Sequence, residues 1–153
     1  MPHNQRARDI AFFVALMATA LALGAALAHA LELPNKISMS REAYFTVQQI
    51  YAGWNRLAFL LAIELTGMLA LLVIYWREPA VMRPVAVALA CLVAAQVIFW
   101  VWTFPANVAT ENWTMQPENW EQLRAEWEYS HLAGAVFQTG AMAALVVAVL
   151  RRG

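Results

Sequence analysis

Two polar clusters mirror one another in this chain: His29-x-x-Glu32 and Glu128-x-x-His131. On a helix, an i,i+3 spacing puts both members on one face, so each cluster can set an imidazole beside a carboxylate. Histidine is the natural general base near neutral pH, and a neighbouring carboxylate fixes its tautomer and raises its basicity. Two histidines and two glutamates at one level are also a competent ligand set for zinc or non-haem iron. A third chemistry is bis-histidine haem, with one axial ligand from each cluster. Against the metal readings, the spacing matches no four-ligand signature. Nor is any Glu-x-x-His repeated in one direction, as carboxylate di-iron bundles require. Interfacial histidines bonded to loop carbonyls would show the same spacing.

The elements that must position these residues are apolar. Four runs, 10–31, 57–75, 84–104 and 132–150, each have roughly the 17–25 residues that cross a bilayer as a helix. The chain is 62% hydrophobic and 13% charged, which fits one four-span membrane domain over 1–153 and no separate soluble one. The expected fold is an all-α up-and-down four-helix bundle with helical extracytoplasmic connections. A formal net charge of zero leaves no basic surface for nucleic acid. Cys91 is the single cysteine, which excludes an intrachain disulfide and a CxxC relay.

Arg6, Arg8, Arg77, Arg83, Arg151 and Arg152 flank the spans on one side, and the positive-inside rule makes that side cytoplasmic. Both termini are then cytoplasmic, in a cell inner membrane, and the acidic connections 32–56 and 105–131 lie outside. Ala28-His29-Ala30 resembles a signal cleavage site, but the apolar stretch before it exceeds the ~7–15 residues usual for a signal, so an uncleaved first span is expected. In the first outer connection Pro34 should end the first helix, and Ser40 should cap a short amphipathic one carrying Tyr44, Val47, Gln48, Tyr51 and Trp54. In the second, Pro105 should break span three, 107–116 should be loop, and a helix should start at Pro117 and run into span four. Six of the seven tryptophans fall near the outer face, some as an aromatic belt and others lining a pocket.

At ~100° per residue, Trp120, Arg124, Trp127, His131 and Gln138 share one stripe, with Glu128 close by. Span three carries Gln96, Trp100, Thr103 and Asn107 together. Span two contributes Glu64, with Gly67, Met68 and Leu71 on its face. Span one sets Ala15, Ala18, Ala22, Ala25 and Ala26 beneath His29, small residues that let helices approach closely. Polar atoms are costly in lipid, so these stripes should turn inward. The expected result is a polar column whose mouth holds His29, Glu32, Glu128 and His131. Its floor, about 12 Å down, holds Glu64, Gln96 and Gln138. Packed spans one and four would bring the histidines within roughly 10 Å, bordering a concave pocket with Trp127. A mid-span carboxyl such as Glu64 is a functional candidate that desolvation can keep protonated.

The segments HALELPNK, YFTVQQIYAGW, FPANVATENWT and NWEQLRAEWEYSH resemble the bacterial branch of the anthrone-oxygenase-like membrane proteins, otherwise a domain of unknown function. The resemblance spans most of the chain and implies a cofactor-independent oxygenase acting on a phenolic or polyketide ring. Asn112, Trp113, Arg124, Trp127, Glu128 and His131 match the family-like stretch. Such chemistry needs a base to form a carbanion that passes an electron to O2, and donors for the oxyanion. On that reading His131 is the base, Glu128 orients it, and Arg124 or Asn112 stabilises the oxyanion. His29, Glu32, Glu64, Gln96, Trp100, Trp113, Trp127 and Gln138 would bind a flat apolar substrate arriving through the lipid bilayer. No cofactor is expected; a metal ion or haem on His29, Glu32, Glu128 and His131 is the alternative. The rival class is a non-enzymatic membrane subunit, carrier or metal-binding module, and a homo-oligomer stays open.

Overall fold

The computed structural model describes residues 2–152. Its helices are α1 (Pro2–Lys36), α2 (Arg41–Gln48), α3 (Leu57–Ile74), α4 (Pro79–Ile98), α5 (Phe104–Ala109) and α6 (Trp120–Leu150). Two 3-10 turns, Gln49–Tyr51 and Trp54–Arg56, link α2 to α3, and a π turn over Phe99–Thr103 joins α4 to α5. No strand occurs among the described residues. Four segments, Gln5–Lys36, Trp54–Ile74, Pro79–Ala109 and Trp120–Leu150, are long and apolar enough to cross a membrane, with mean hydropathies of 1.9 to 2.5.

The four long helices form a ring in which α1 packs between α3 and α6, and α4 closes the ring against α6 and α3. Both termini lie at one end, where Arg8 pairs with Glu78 at 2.6 Å and Arg152 with Asp9 at 2.8 Å. Large apolar side chains such as Phe13, Phe59, Val73 and Leu150 point outward, as expected where lipid is the solvent. The inside is layered. Nearest the termini, Phe12, Ala15, Met68, Leu71, Tyr75, Val85, Leu92 and Leu145 pack an apolar core. Thr19, Glu64 and Gln138 form a buried polar level above it. At the opposite end, here the cap, Tyr44, Phe45, Ala106, Trp113, Leu123 and Trp127 build a second, aromatic core.

Small residues draw α1 and α3 together, as the alanine stripe suggests. A Cβ built on Gly67 would lie 3.1 Å from both Cα and Cβ of Ala15. Backbone cannot yield there as a side-chain tip can, so Gly67→Ala should push the helices apart and cost about 1–3 kcal/mol. Thermal unfolding in detergent checks this, with Gly134→Ala as the control, since a Cβ there meets nothing within 4 Å. Equal stability of the two variants would contradict the close approach.

Three proline-based boundaries are corrected. Pro34 sits inside the last turn of α1, which runs on to Lys36. Pro105 does not break span three. Its ring would clash with the carbonyl four residues back, Val101, and that residue lies in the π turn, where the wider ladder absorbs the conflict. Helix therefore continues to Ala109, into the stretch read as loop. At the other boundary α6 starts at Trp120, not Pro117. The Ser40 cap is formed: its hydroxyl accepts from the Ala43 amide at 3.4 Å.

Candidate functional site

Continuing α1 two residues past Pro34 sets His29, Glu32 and Lys36 on one face, at i, i+3 and i+7. Lys36 is 2% exposed and becomes the hub of the cap. Its Nζ donates to Glu128 Oε1 at 2.8 Å and to the Tyr51 hydroxyl at 3.1 Å, and stands 4.4 Å from the centre of the Trp127 ring. Glu128 is fully buried and also accepts from the Tyr44 hydroxyl at 2.9 Å, while Gln48 Nε2 donates to that hydroxyl at 2.8 Å. Tyr51 in turn donates to Glu32. The result is a directed chain of hydrogen bonds: Gln48 to Tyr44 to Glu128, then Lys36 to Glu128 and, through Tyr51, to Glu32. Burial pushes the Tyr44 phenol well above its ordinary range, and the adjacent Glu128 carboxylate adds to this. Burial does the same to Tyr51, helped by its hydrogen bond to Glu32. Both therefore remain O–H donors.

The two histidines meet beside this chain. Their ring centres are 4.2 Å apart, far closer than helix spacing alone requires. Trp127 stacks on His131 at 3.9 Å, and Tyr51, Trp54 and Trp127 surround His29 at 4.7, 5.2 and 5.1 Å. His131 Nδ1 lies 2.8 Å from the Trp127 carbonyl. A carbonyl can only accept, so Nδ1 carries the proton and the lone pair of the neutral ring is on Nε2. His29 Nδ1 is buried with no partner.

Several expected arrangements are corrected. Glu128 does not orient His131, because its bonded oxygen is taken by Lys36 and Tyr44; the Trp127 carbonyl does the orienting. His29, Glu32, Glu128 and His131 do not assemble as ligands: no three metal-binding side chains converge among the described residues. The stacked rings also leave no space for a porphyrin between them. The two carboxylates are engaged by Lys36 and Tyr51 instead. At the mouth, Tyr51 and Trp54 pack against His29.

Arg124 donates to the Met39 carbonyl at 2.8 Å and stacks on Trp120, about 10 Å along α6 from His131. Asn112 is exposed, its amide N–H held by the Asn107 carbonyl in a left-handed turn through Glu111, Asn112 and Trp113. That turn drives Trp113 into the aromatic core against Tyr44 and Phe45, behind Trp127 and away from the histidines. Neither Arg124 nor Asn112 is placed to hold an oxyanion at His131.

At the expected floor, Gln138 donates to Glu64 at 2.6 Å across the bundle. Gln96 does not join them. It is half-buried and lines, with Trp100, Leu61, Leu65, Val93 and Val97, an apolar groove of ≈ 540 Å³ between α3 and α4. The π turn explains this. One added residue per turn rotates all that follows, so Thr103 and Asn107 face α6 while Gln96 and Trp100 do not. Thr103 shares a 2.6 Å hydrogen bond with Ser130, and Asn107 accepts from Trp127 Nε1 at 2.9 Å. Trp100, 59% exposed, belongs to the lipid-facing belt.

Sequence reasoning missed Lys36, Tyr44, Tyr51 and Gln48 as site residues, and Thr19 beside Glu64. The i, i+3, i+7 spacing of His29, Glu32 and Lys36 was the available signal, hidden by the assumption that Pro34 ends the helix.

Fold and site together define a multi-pass helical membrane protein with a buried ionic and aromatic centre at one end of its bundle. Comparison with protein-family models, curated proteins and solved structures finds no match to this chain.

Proposed function

We propose that this protein is a membrane-embedded, oxygenase-type enzyme that converts a flat apolar substrate, phenolic or polyketide-like, with a base and O2 and without a bound cofactor. The observation that carries the reading is the His131 tautomer. With Nδ1–H on the Trp127 carbonyl, Nε2 is left as a base in an aromatic setting, and Lys36 shares the Trp127 ring with it. Nε2 would take a proton from a ring methylene acidified by its aromatic neighbours. The third ammonium proton of Lys36, which neither Glu128 nor Tyr51 takes, would hold the enolate oxygen that develops. The carbanion passes one electron to O2, the radical pair recombines as a hydroperoxide, and loss of water gives the ketone. In sum, one ring methylene and one O2 become one ring carbonyl and one water, and the proton taken by His131 leaves in that water. Entry requires the Gln49–Arg56 segment, which carries Tyr51 and Trp54 and turns at Gly53 (φ 86°), to swing off the histidines.

The test is oxygen uptake by detergent-purified protein given an anthrone-like tricyclic phenol, with no added metal or flavin. One O2 per quinone formed supports the reading; folded protein that leaves oxygen untouched across a panel of such substrates refutes it. The buried Gln48–Tyr44–Glu128–Lys36 chain favours a second reading, a non-enzymatic membrane subunit or carrier in which the cap is a structural lock.

We place the chain in a cell inner membrane with both termini cytoplasmic. Six of the ten basic residues, Arg6, Arg8, Arg77, Arg83, Arg151 and Arg152, fall at the end holding the termini, against Lys36, Arg41, Arg56 and Arg124 in the acidic connections at the other, and the positive-inside rule assigns the more basic end to the cytoplasm. A C-terminal reporter active only in the periplasm would reverse this orientation.

A further inference from the structure

Halfway along the bundle, α1, α3 and α6 each aim one polar side chain at the same point. Glu64 and Thr19 are 0% exposed and Gln138 is 4% exposed. The contact between Ala15 and Gly67 fixes the register of the antiparallel pair α1 and α3. Four residues further along α1, and three back along α3, the same face brings Thr19 level with Glu64. Gln138 Nε2 donates to Glu64 Oε1 at 2.6 Å. The other carboxyl oxygen, Oε2, and the Thr19 hydroxyl are both buried, and neither closes a hydrogen bond within normal geometry.

Two unpartnered oxygens lie in an apolar bundle, and the surroundings supply no charge to balance a carboxylate. Glu64 is the single ionisable residue of α3. On α1 the nearest are Asp9 and His29, ten residues away on either side of Thr19. On α4 they are Arg83 and Cys91, the thiol lying against Gly140. On α6, His131 and Arg151 flank Gln138 at seven and thirteen residues, so the nearest cationic candidate is about 10 Å away along the helix axis. Lys36 is committed to Glu128 at the cap. A bare carboxylate here would be an uncompensated charge in hydrocarbon. A metal cation would need more oxygens than Thr19 and Glu64 offer, since the backbone carbonyls around them are spent within their helices.

We propose that Thr19, Glu64 and Gln138 form a proton-binding site in the middle of the membrane. Glu64 Oε2 carries the proton and donates it to Thr19 Oγ1, while Oε1 accepts from Gln138. Both carboxyl oxygens of Glu64 and the Thr19 oxygen are then paired, with no net charge. Nothing in this site depends on His131 or on the reaction proposed at the cap.

Infrared spectroscopy of the full chain in lipid tests it. At neutral pH the wild-type protein should show the carbonyl stretch of a protonated carboxylic acid, shifted in heavy water and lost in Glu64→Gln, which keeps the bond from Gln138. Thr19→Val, which spares the carboxyl should Glu64→Gln fail to fold, should move the band to higher frequency by removing its acceptor. A wild-type spectrum with no acid band, or a band indifferent to Thr19→Val, overturns the site. So does an acid band that gives way to carboxylate stretches when sodium replaces choline in the buffer, because the ligand would then be a metal cation.

Discussion

Lys36→Met should destabilise the protein by about 3–5 kcal/mol, the cost of stranding a buried charge. Lys36 and Glu128 are 2% and 0% exposed, so water cannot replace the lost partner without opening the cap. The substitution keeps the length of the stem but removes the donor at 2.8 Å from Glu128, and with it the bond to Tyr51 and the contact with Trp127. Glu128 Oε2 already lacks a partner, so the carboxylate would keep a single bond, from Tyr44. In a chain of this size the loss corresponds to a fall in Tm of about 10 °C. Adding Glu128→Gln should restore most of it: the amide carries no charge to strand, and its oxygen still accepts from Tyr44. Thermal unfolding of the two single variants and the double variant closes the cycle. If Lys36→Met alone costs less than about 1 kcal/mol, the pair is hydrated and behaves as a surface salt bridge.

This pair also shows where the sequence stopped being readable. The four spans follow from hydropathy because lipid demands long uninterrupted apolar helices, and that demand is local. The inward turn of Glu64, Trp127, Glu128 and Gln138 follows from the helical period and the cost of polar atoms in lipid. The convergence of His29 and His131 needs one more step, that the fourth helix closes the ring beside the first, and the ring order supplies it. What failed was local backbone behaviour at prolines. Pro34 lies within the last helical turn, and continuing past it by two residues turns Lys36 from a loop charge into the hub of the centre. Pro105 is absorbed by a π turn that rotates the stripe, and so Gln96 leaves the floor and Trp100 the inward stripe.

Partner choice was the other gap. Periodicity tells which way Glu128 and Arg124 point, but not what they bind. Glu128 found a lysine on α1 and a tyrosine on α2; Arg124 found the Met39 carbonyl. These partners come from the connection between the first two spans, whose path is set by tertiary contacts. Asn112 lies in three consecutive left-handed residues, a conformation that asparagine tolerates singly but that Glu111 and Trp113 disfavour. Trp113 buried against Tyr44, and the Gln49 side chain donating to its carbonyl at 2.8 Å, hold that turn. No sequence pattern announces it.

His131→Ala should lower kcat by about 10²- to 10⁴-fold, the usual share of a positioned base. That is roughly 3–5 kcal/mol at the transition state. The alternative role, a ring that merely fills space beside Trp127 and His29, predicts a change in stability and no specific change in kcat. Added imidazole separates the two. The cavity left by His131→Ala sits against Trp127 at the position the ring occupied, so free imidazole can enter and offer a nitrogen base there. Recovery of oxygen uptake with imidazole, in proportion to its unprotonated fraction as pH is raised through the imidazole pKa, is the expected result. A variant that keeps its oxygen uptake to within about twofold excludes His131 as the base, whatever becomes of its stability.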